Sequence, residues 1–232
     1  MPAEISIIIP TLNAEKHLPR CLAALMEGLS EGLIRELIVT DGGSTDASVD
    51  IADEAGAVLV SGSASRGGQL RRGCALAKGK WLLVLHADTV LGPGWAQVVA
   101  AHISDAQSGP VPPGPAHFRL AFDTPGLRPR WVAGWANLRA ALFGLPYGDQ
   151  GLLLRQTDYT RAGGYPDQPL MEDIALIRAL QGGLTQLPVR AQTSADKYTR
   201  DGWLRRGTRN LWILARYFTG TDPEVLATSY RR

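Results

Sequence analysis

Apolar residues in the first third of the chain come in short β-branched runs separated by stretches with helical spacing. The run ISIIIP (5–10) shows no polar alternation and reads as a strand buried on both faces, closed by Pro10. Behind it, Leu18, Cys21, Leu22, Leu25, Met26 and Leu29 recur on one face at helical spacing, which predicts an amphipathic helix with Asn13 available as its cap. ELIVT (36–40), AVLVS (57–61) and WLLVL (81–85) repeat the strand theme. Helices are expected near 46–55 and 68–78, with Gly56 and Gly79 as C-terminal stops. This βαβαβαβ order predicts an α/β fold: a mostly parallel central sheet flanked by helices.

After a helix expected near 94–104 the pattern breaks. SGPVPPGPA (108–116) can sustain neither helix nor central strand, because its prolines lack N–H donors, so it reads as a loop between two halves of one domain, 1–107 and 116–232. Beyond it come a strand HFRLAF (117–122), an aromatic-rich helix near 128–143, the loop LPYGDQG (145–151), a strand LLLR (152–155) and a helix after MED (171–173). Trp131 and Trp135, four apart, are expected in the core rather than in an acceptor pocket. A last helix near 202–219 mixes Trp203, Leu204, Leu211, Trp212, Leu214 and Phe218 with Arg205, Arg206, Arg209 and Arg216. It suits packing on the sheet with its arginines outward, or peripheral contact with a membrane surface.

Charge narrows the picture little. With 24 basic against 22 acidic residues, the net charge of +2 gives no bulk attraction to nucleic acid, so a charged partner must be met locally. Cys21 and Cys74 sit in helical apolar patterns and read as reduced core residues. No basic segment leads into a long apolar one, and no run approaches the ~20 residues of a membrane span, so a cytoplasmic protein is expected. His17, His102 and His117 show no metal or triad spacing and read as surface or satisfied polar groups.

Four polar clusters carry candidate chemistry. TDGGSTDAS follows the second strand, where open sheets bind ligands; Asp41 is an acceptor for base N–H or ribose hydroxyls, or the start of a turn whose Ser44 or Thr45 caps the next helix. In LHADT, His86 and Asp88 are two apart in an extended segment and so face the same side. Asp88 suits a hard cation; imidazole at His86 suits Mn²⁺ better than Mg²⁺, or a place behind the ligands. SRGGQLRRG offers Arg66, Arg71 and Arg72 among glycines that permit close approach to phosphate. MED puts Glu172 and Asp173 at a helix start, and YGDQG offers Asp149 and Gln150 to sugar hydroxyls or to a turn.

Taken together, ISIIIPTLNAEKHLPRCLAAL, ELIVTDGGSTDAS, RGGQLRRGCALAKGKWLLVLHADT and MED resemble the family-2 glycosyltransferases. The resemblance implies a GT-A fold binding a nucleotide-diphosphate sugar through Pro10, Leu12, Asn13, Glu15, Asp41, Gly43, Arg71 and Ala87. It implies a divalent cation, Mn²⁺ or Mg²⁺, at Asp88; the wider family has Asp-x-Asp here, and His86 departs from it. It makes Asp173 the general base with Glu172 orienting it, and assigns Asp149 and Gln150 to an acceptor carrying a hydroxyl, small or lipid-linked. Single displacement then inverts the anomeric centre.

A narrower likeness, through HADT, GDQG, GGYP, MEDIAL and DGWLRR, is to the radical-SAM/selenodomain-associated, or arsenosugar-biosynthesis, glycosyltransferases. The Gln-x-x-Arg-Trp motif of the processive members is missing from the last helical region. Two alternatives stand beside this reading. One is a non-catalytic nucleotide-sugar-binding protein whose metal site His86 has spoiled. The other is a nucleotidyltransferase, which carries its Gly-rich basic segment directly after the first strand, where this chain has TLNAEKH.

Overall fold

The computed structural model describes residues 3–108, 114–181 and 183–231. Its first half alternates as the pattern requires: β1 (Ile5–Thr11), α1 (Leu18–Ser30), β2 (Ile34–Asp41), α2 (Ser48–Glu54), β3 (Val58–Ser61), α3 (Arg66–Leu76) and β4 (Trp81–Val84). A short β5 (Val90–Leu91) and α4 (Trp95–Ser108) follow. Most of the proline-rich loop, 109–113, lies outside the described residues. The second half runs β6 (Ala116–Phe122), α5 (Leu127–Phe143), a 3-10 turn (Gly148–Gln150), β7 (Leu152–Arg155), α6 (Gln156–Arg161), α7 (Glu172–Ala179) and β8 (Thr185–Thr193). Three helices close the described chain: α8 (Asp196–Asp201), α9 (Trp203–Phe218) and α10 (Pro223–Arg231).

Among the described residues the strands form one eight-stranded sheet in the order β3-β2-β1-β4-β7-β6-β8-β5. The first four are mutually parallel. β7 runs antiparallel to β4 and β6, β8 is parallel to β6, and β5 is antiparallel to β8, so the sheet as a whole is mixed. Strand alternation divides the core. Ile5, Ile7 and Ile9 face Leu18, Cys21 and Leu25 of α1 and Trp95 and Val99 of α4, while Ile8 and Ile38 face Leu70 and Cys74 of α3. Both cysteines are free and buried, and burial pushes each thiol up to about 12. His102 and His117 are buried and bonded to the carbonyls of Gly114 and Phe118.

Several local expectations are corrected. Asn13 does not cap α1, which starts only at Leu18; it sits at φ +51°, a conformation Asn tolerates, and accepts from Thr45 N at 2.9 Å. Ser44 and Thr45 do not cap α2, whose cap position is Ala47; Asp46 instead accepts from Ser48 N at 3.0 Å. Gly56, at φ +70°, does stop α2. Gly79 stops nothing: it lies beyond the end of α3 against β1, where a Cβ would stand 2.6 Å from Glu4 O and Ser6 N. Trp131 and Trp135 are in neither the core nor a cavity with the catalytic candidates, being 64% and 47% exposed.

Candidate active site

Parallel β1 and β4 end side by side, Leu85 N donating to Ile8 O at 3.0 Å, and the chain then leaves the sheet through His86, Ala87 and Asp88. At this carboxyl edge a cavity is lined by Arg66 of α3, His86, Asp88, Asp149 beside β7, and Glu172 and Asp173 at the start of α7. Four sequence-separated clusters thus meet in one place.

The segments after β1 and β2 are bonded to each other. Asn13 N donates to Ser44 Oγ, Ala14 N to Ser48 Oγ, Ala47 N to Glu15 Oε2 and Glu15 N to Asp46 Oδ2, all within 2.7–3.1 Å. Gln69 Nε2 donates to the carbonyls of Thr11 and Thr40 at 2.8 and 2.7 Å and closes the seam. Asp41 is only 3% exposed and accepts from Gly43 N, Ser44 N, Ser44 Oγ and Thr11 Oγ1. Burial pushes its pKa up, but the bonds from Ser44, Gly43 and Thr11 outweigh that and hold it below the usual range. Asp41, Asn13 and Glu15 therefore shape the loop from within, while Leu12, 51% exposed, and Ala87 present surface.

Of the three arginines on α3, the structure brings Arg66, not Arg71, to the cavity. Arg71 is exposed, and Arg72 Nη2 donates to Ser63 O at 3.1 Å. Arg66 can sit there because α3 begins against the 166–168 segment. Gly67 N donates to Gln168 O at 3.1 Å, and a Cβ on Gly67 would run into Pro166 O.

Arg66 Nε lies 3.6 Å from Glu172 Oε1, and Arg66 Nη2 lies 3.5 Å from His86 Nδ1. Burial, then Arg66 and Lys197, hold the His86 pKa well below its ordinary value, so the ring is neutral and Nδ1 faces the guanidinium as an acceptor. The other ring nitrogen, Nε2, packs on Gly148, where a Cβ would overlap it. His86 thus lies between Arg66 and Gly148. Asp88 differs: its carboxylate opens on the cavity and has no hydrogen-bond or ion-pair partner among the described residues. Among those residues no three His, Cys, Asp or Glu side chains gather around a metal position. A cation at Asp88 therefore suits this site only if ligand oxygens complete its shell, as diphosphate does for Mg²⁺ or Mn²⁺.

The acidic groups are differentiated by environment. Glu172, 2% exposed, is pushed up to about 7 by burial and by Asp173, against the opposing Arg66. Asp149 is pushed up to about 6 by burial, with Asp173 and Asp88 adding to it against Arg139, and its Oδ1 is buried without a hydrogen bond. Asp173 is held in place by Gly148 N on Oδ2 and Ile174 N on Oδ1, both at 2.7 Å. The residue before the pair, Met171, has φ +65°, a strained conformation for a side chain of its size that turns α7 toward the cavity.

Gln150 is corrected from an acceptor contact to a structural one. It is fully buried, donating to Phe118 O and Asn137 Oδ1 and accepting from Tyr147 N. Residues not assigned to the site from the sequence complete the wall: Tyr147, Lys197, Tyr198, Tyr230 and Arg206, which was expected to point outward and is instead buried. Tyr147 lies under Arg139, 3.5 Å from its ring centroid. Arg206 is tied to Asp201 at 2.7 Å and to Tyr230, but Lys197 has no hydrogen bond or ion pair among the described residues. Its pKa is lowered by burial and Arg66, with Asp88 opposing. The local sequence DKYTRD gave no such signal, because only the folding of α8 onto the cavity makes these side chains part of it.

The Glycosyl transferase family 2 model matches residues 6–138, more than half of the chain. The chain belongs to glycosyl transferase family 2. It is similar to a PGL/p-HBAD biosynthesis glycosyltransferase of Mycobacterium tuberculosis, 41% identical over 93 residues, 37% of this chain and 36% of the relative. The match thus spans little more than a third of that relative's length. Among solved structures, S. aureus TarS 1–349 superposes with a TM-score of 0.60 at 14% identity, covering 91% of this chain and 65% of that one. M. tuberculosis glucosyl-3-phosphoglycerate synthase, in complex with Mn²⁺ and UDP-glucose, gives 0.53 at 20% identity, covering 82% and 70%. At these identities the likeness is one of fold, and it agrees with the GT-A α/β architecture and mixed central sheet.

Proposed function

We propose that this glycosyltransferase moves one sugar from a nucleotide-diphosphate sugar to a hydroxyl acceptor with inversion, and that the cavity at Asp88 is where it does so. The observation that carries the reading is the meeting of Arg66, Asp88, Asp149, Glu172 and Asp173 at the carboxyl edge of β1 and β4. Residues 1–107 supply the donor side and 116–232 the acceptor side. A uridine diphosphate sugar is the first donor to try, since solved neighbours carry UDP or UDP-glucose. The motifs HADT, GDQG, GGYP, MEDIAL and DGWLRR support a place in the radical-SAM/selenodomain-associated subgroup.

In this mechanism Leu12 and Ala87 border the nucleotide, on a loop that Pro10, Asn13, Glu15, Asp41 and Gly43 hold in shape. Asp88 would hold Mg²⁺ or Mn²⁺, which would supply neutralisation of charge on the diphosphate. Arg66, propped by His86 and Glu172, and Lys197 stabilise the departing nucleoside diphosphate. The acceptor hydroxyl attacks the anomeric carbon, its proton passes to Asp173, and the sugar–oxygen bond to the diphosphate breaks. The backbone donors on Asp173 fix its direction yet leave lone pairs for that proton. Asp149, pushed up to about 6 by burial, is mainly a carboxylate at neutral pH and accepts from a sugar hydroxyl.

Asp173→Asn tests the assignment. Turnover of a UDP-sugar with a hydroxyl acceptor is expected to fall about 10²–10⁴-fold with nucleotide affinity unchanged. Unchanged turnover would remove Asp173 from the chemistry.

A further inference from the structure

The exposed apolar side chains of the molecule are concentrated in two helices. Of the large exposed hydrophobic side chains among the described residues, six lie on α5 and four on α9. On α5, Leu127, Trp131, Trp135, Leu138 and Leu142 follow at steps of three and four and form one stripe. The opposite face, Val132, Ala133, Ala136 and Ala140, is buried. α5 is therefore apolar on both faces and covered on one. On α9, Leu204, Leu211 and Phe218 recur at intervals of seven on one exposed face, with Trp212 at its edge. The two helices adjoin at their first turns, where Leu127 and Trp131 line a shallow depression with Trp203 and Leu204.

Charge identifies what covers this face. Arg128 and Arg130 edge the depression and are exposed, Arg205 is exposed beside Leu204, and neither α5 nor α9 contains an acidic residue. Tryptophan sits well at the headgroup level of a bilayer, and arginine meets lipid phosphate there. A contact between two copies of this face would instead leave these arginines without an acidic partner on either helix. No helix among the described residues is long and apolar enough to cross a membrane, so contact is with the surface.

We propose that α5 and the first turns of α9 dock the protein on an anionic bilayer surface, with their apolar stripes in the headgroup boundary and Arg128, Arg130 and Arg205 on the phosphates. The face is separate from the catalytic candidates, and the proposal does not rest on sugar transfer.

Co-sedimentation with phosphatidylcholine vesicles, with and without phosphatidylglycerol, tests it. The protein is expected to bind the mixed vesicles and to be released by salt. Replacing Arg128, Arg130 and Arg205 with Gln should weaken binding about a hundredfold, at about fivefold per charge. Trp131→Ala with Trp135→Ala should weaken it about tenfold or more. Both variants change exposed side chains, so thermal unfolding and UDP affinity should be unchanged. Failure to bind either vesicle, or equal binding by both variants, would overturn the proposal. So would a concentration-dependent dimer abolished by the Trp pair without vesicle binding, which would assign the face to a second copy.

Discussion

Asp173 and Glu172 are neighbours in sequence, yet their surroundings set them apart. Two backbone donors fix Asp173 as an oriented carboxylate at the cavity, whereas Glu172 is buried behind it with one guanidinium at 3.6 Å. The rise of Glu172 from 4.5 to about 7 has a thermodynamic sign. A raised pKa in the folded state means that the protonated form is favoured by folding; that contribution is complete below 4.5 and is lost as pH rises through about 7. Glu172→Gln, neutral throughout, should therefore gain melting temperature over the parent progressively across that window. A difference between the two proteins that stays constant with pH would contradict it. Residue types and spacing made Asp88, Asp149, Glu172 and Asp173 legible. They did not show that Gln150 is turned into the core, which depends on Phe118 and Asn137 far along the chain, or that Asp41 is saturated by Gly43 and Ser44 of its own turn together with Thr11.

At the scale of elements, hydrophobic period served where one face is buried by neighbours and failed where it is not. The first four strands and α1 to α3 follow their apolar runs closely. β8 escaped because Pro188 interrupts TQLPVRAQT. The structure accommodates it at an irregularity, where β6 passes from His117↔Gln186 to Arg119↔Arg190 and no ladder donor is demanded at the proline. α10 was not expected from the apolar pattern; it begins at Pro223, where Asp222 Oδ1 accepts from Glu224 N at 2.7 Å. The N-terminal turn of α3 depends on Gly67, since any Cβ there meets the Pro166 carbonyl. Gly67→Ala should destabilise the fold by about 1–3 kcal/mol and move Arg66 off the cavity. Chemical denaturation and UDP titration should show both losses; a variant unchanged in each would contradict the packing argument.

For the whole molecule, one continuous sheet carries the site. Its parallel half ends at the loops after β1 and β2, β4 pairs directly with β7, and the antiparallel pairing brings the Gly148–Gln150 turn to the same edge as Asp88. The parallel half was readable from its repeating βα units, while the mixed half was not, because strand direction is set by tertiary pairing rather than by local pattern. The cavity wall from α8, α9 and α10 belongs to the same category. The account's central claim is that this edge binds a nucleotide diphosphate through a cation at Asp88. Calorimetric titration with UDP, GDP and their sugar conjugates tests it most directly, in Mn²⁺, Mg²⁺ or EDTA, on the parent protein and on Asp88→Asn. The account predicts that one nucleotide class binds, that EDTA weakens it by about tenfold or more, and that Asp88→Asn removes the metal dependence. Absence of binding under every metal condition, or equal binding in EDTA and in the variant, would contradict it.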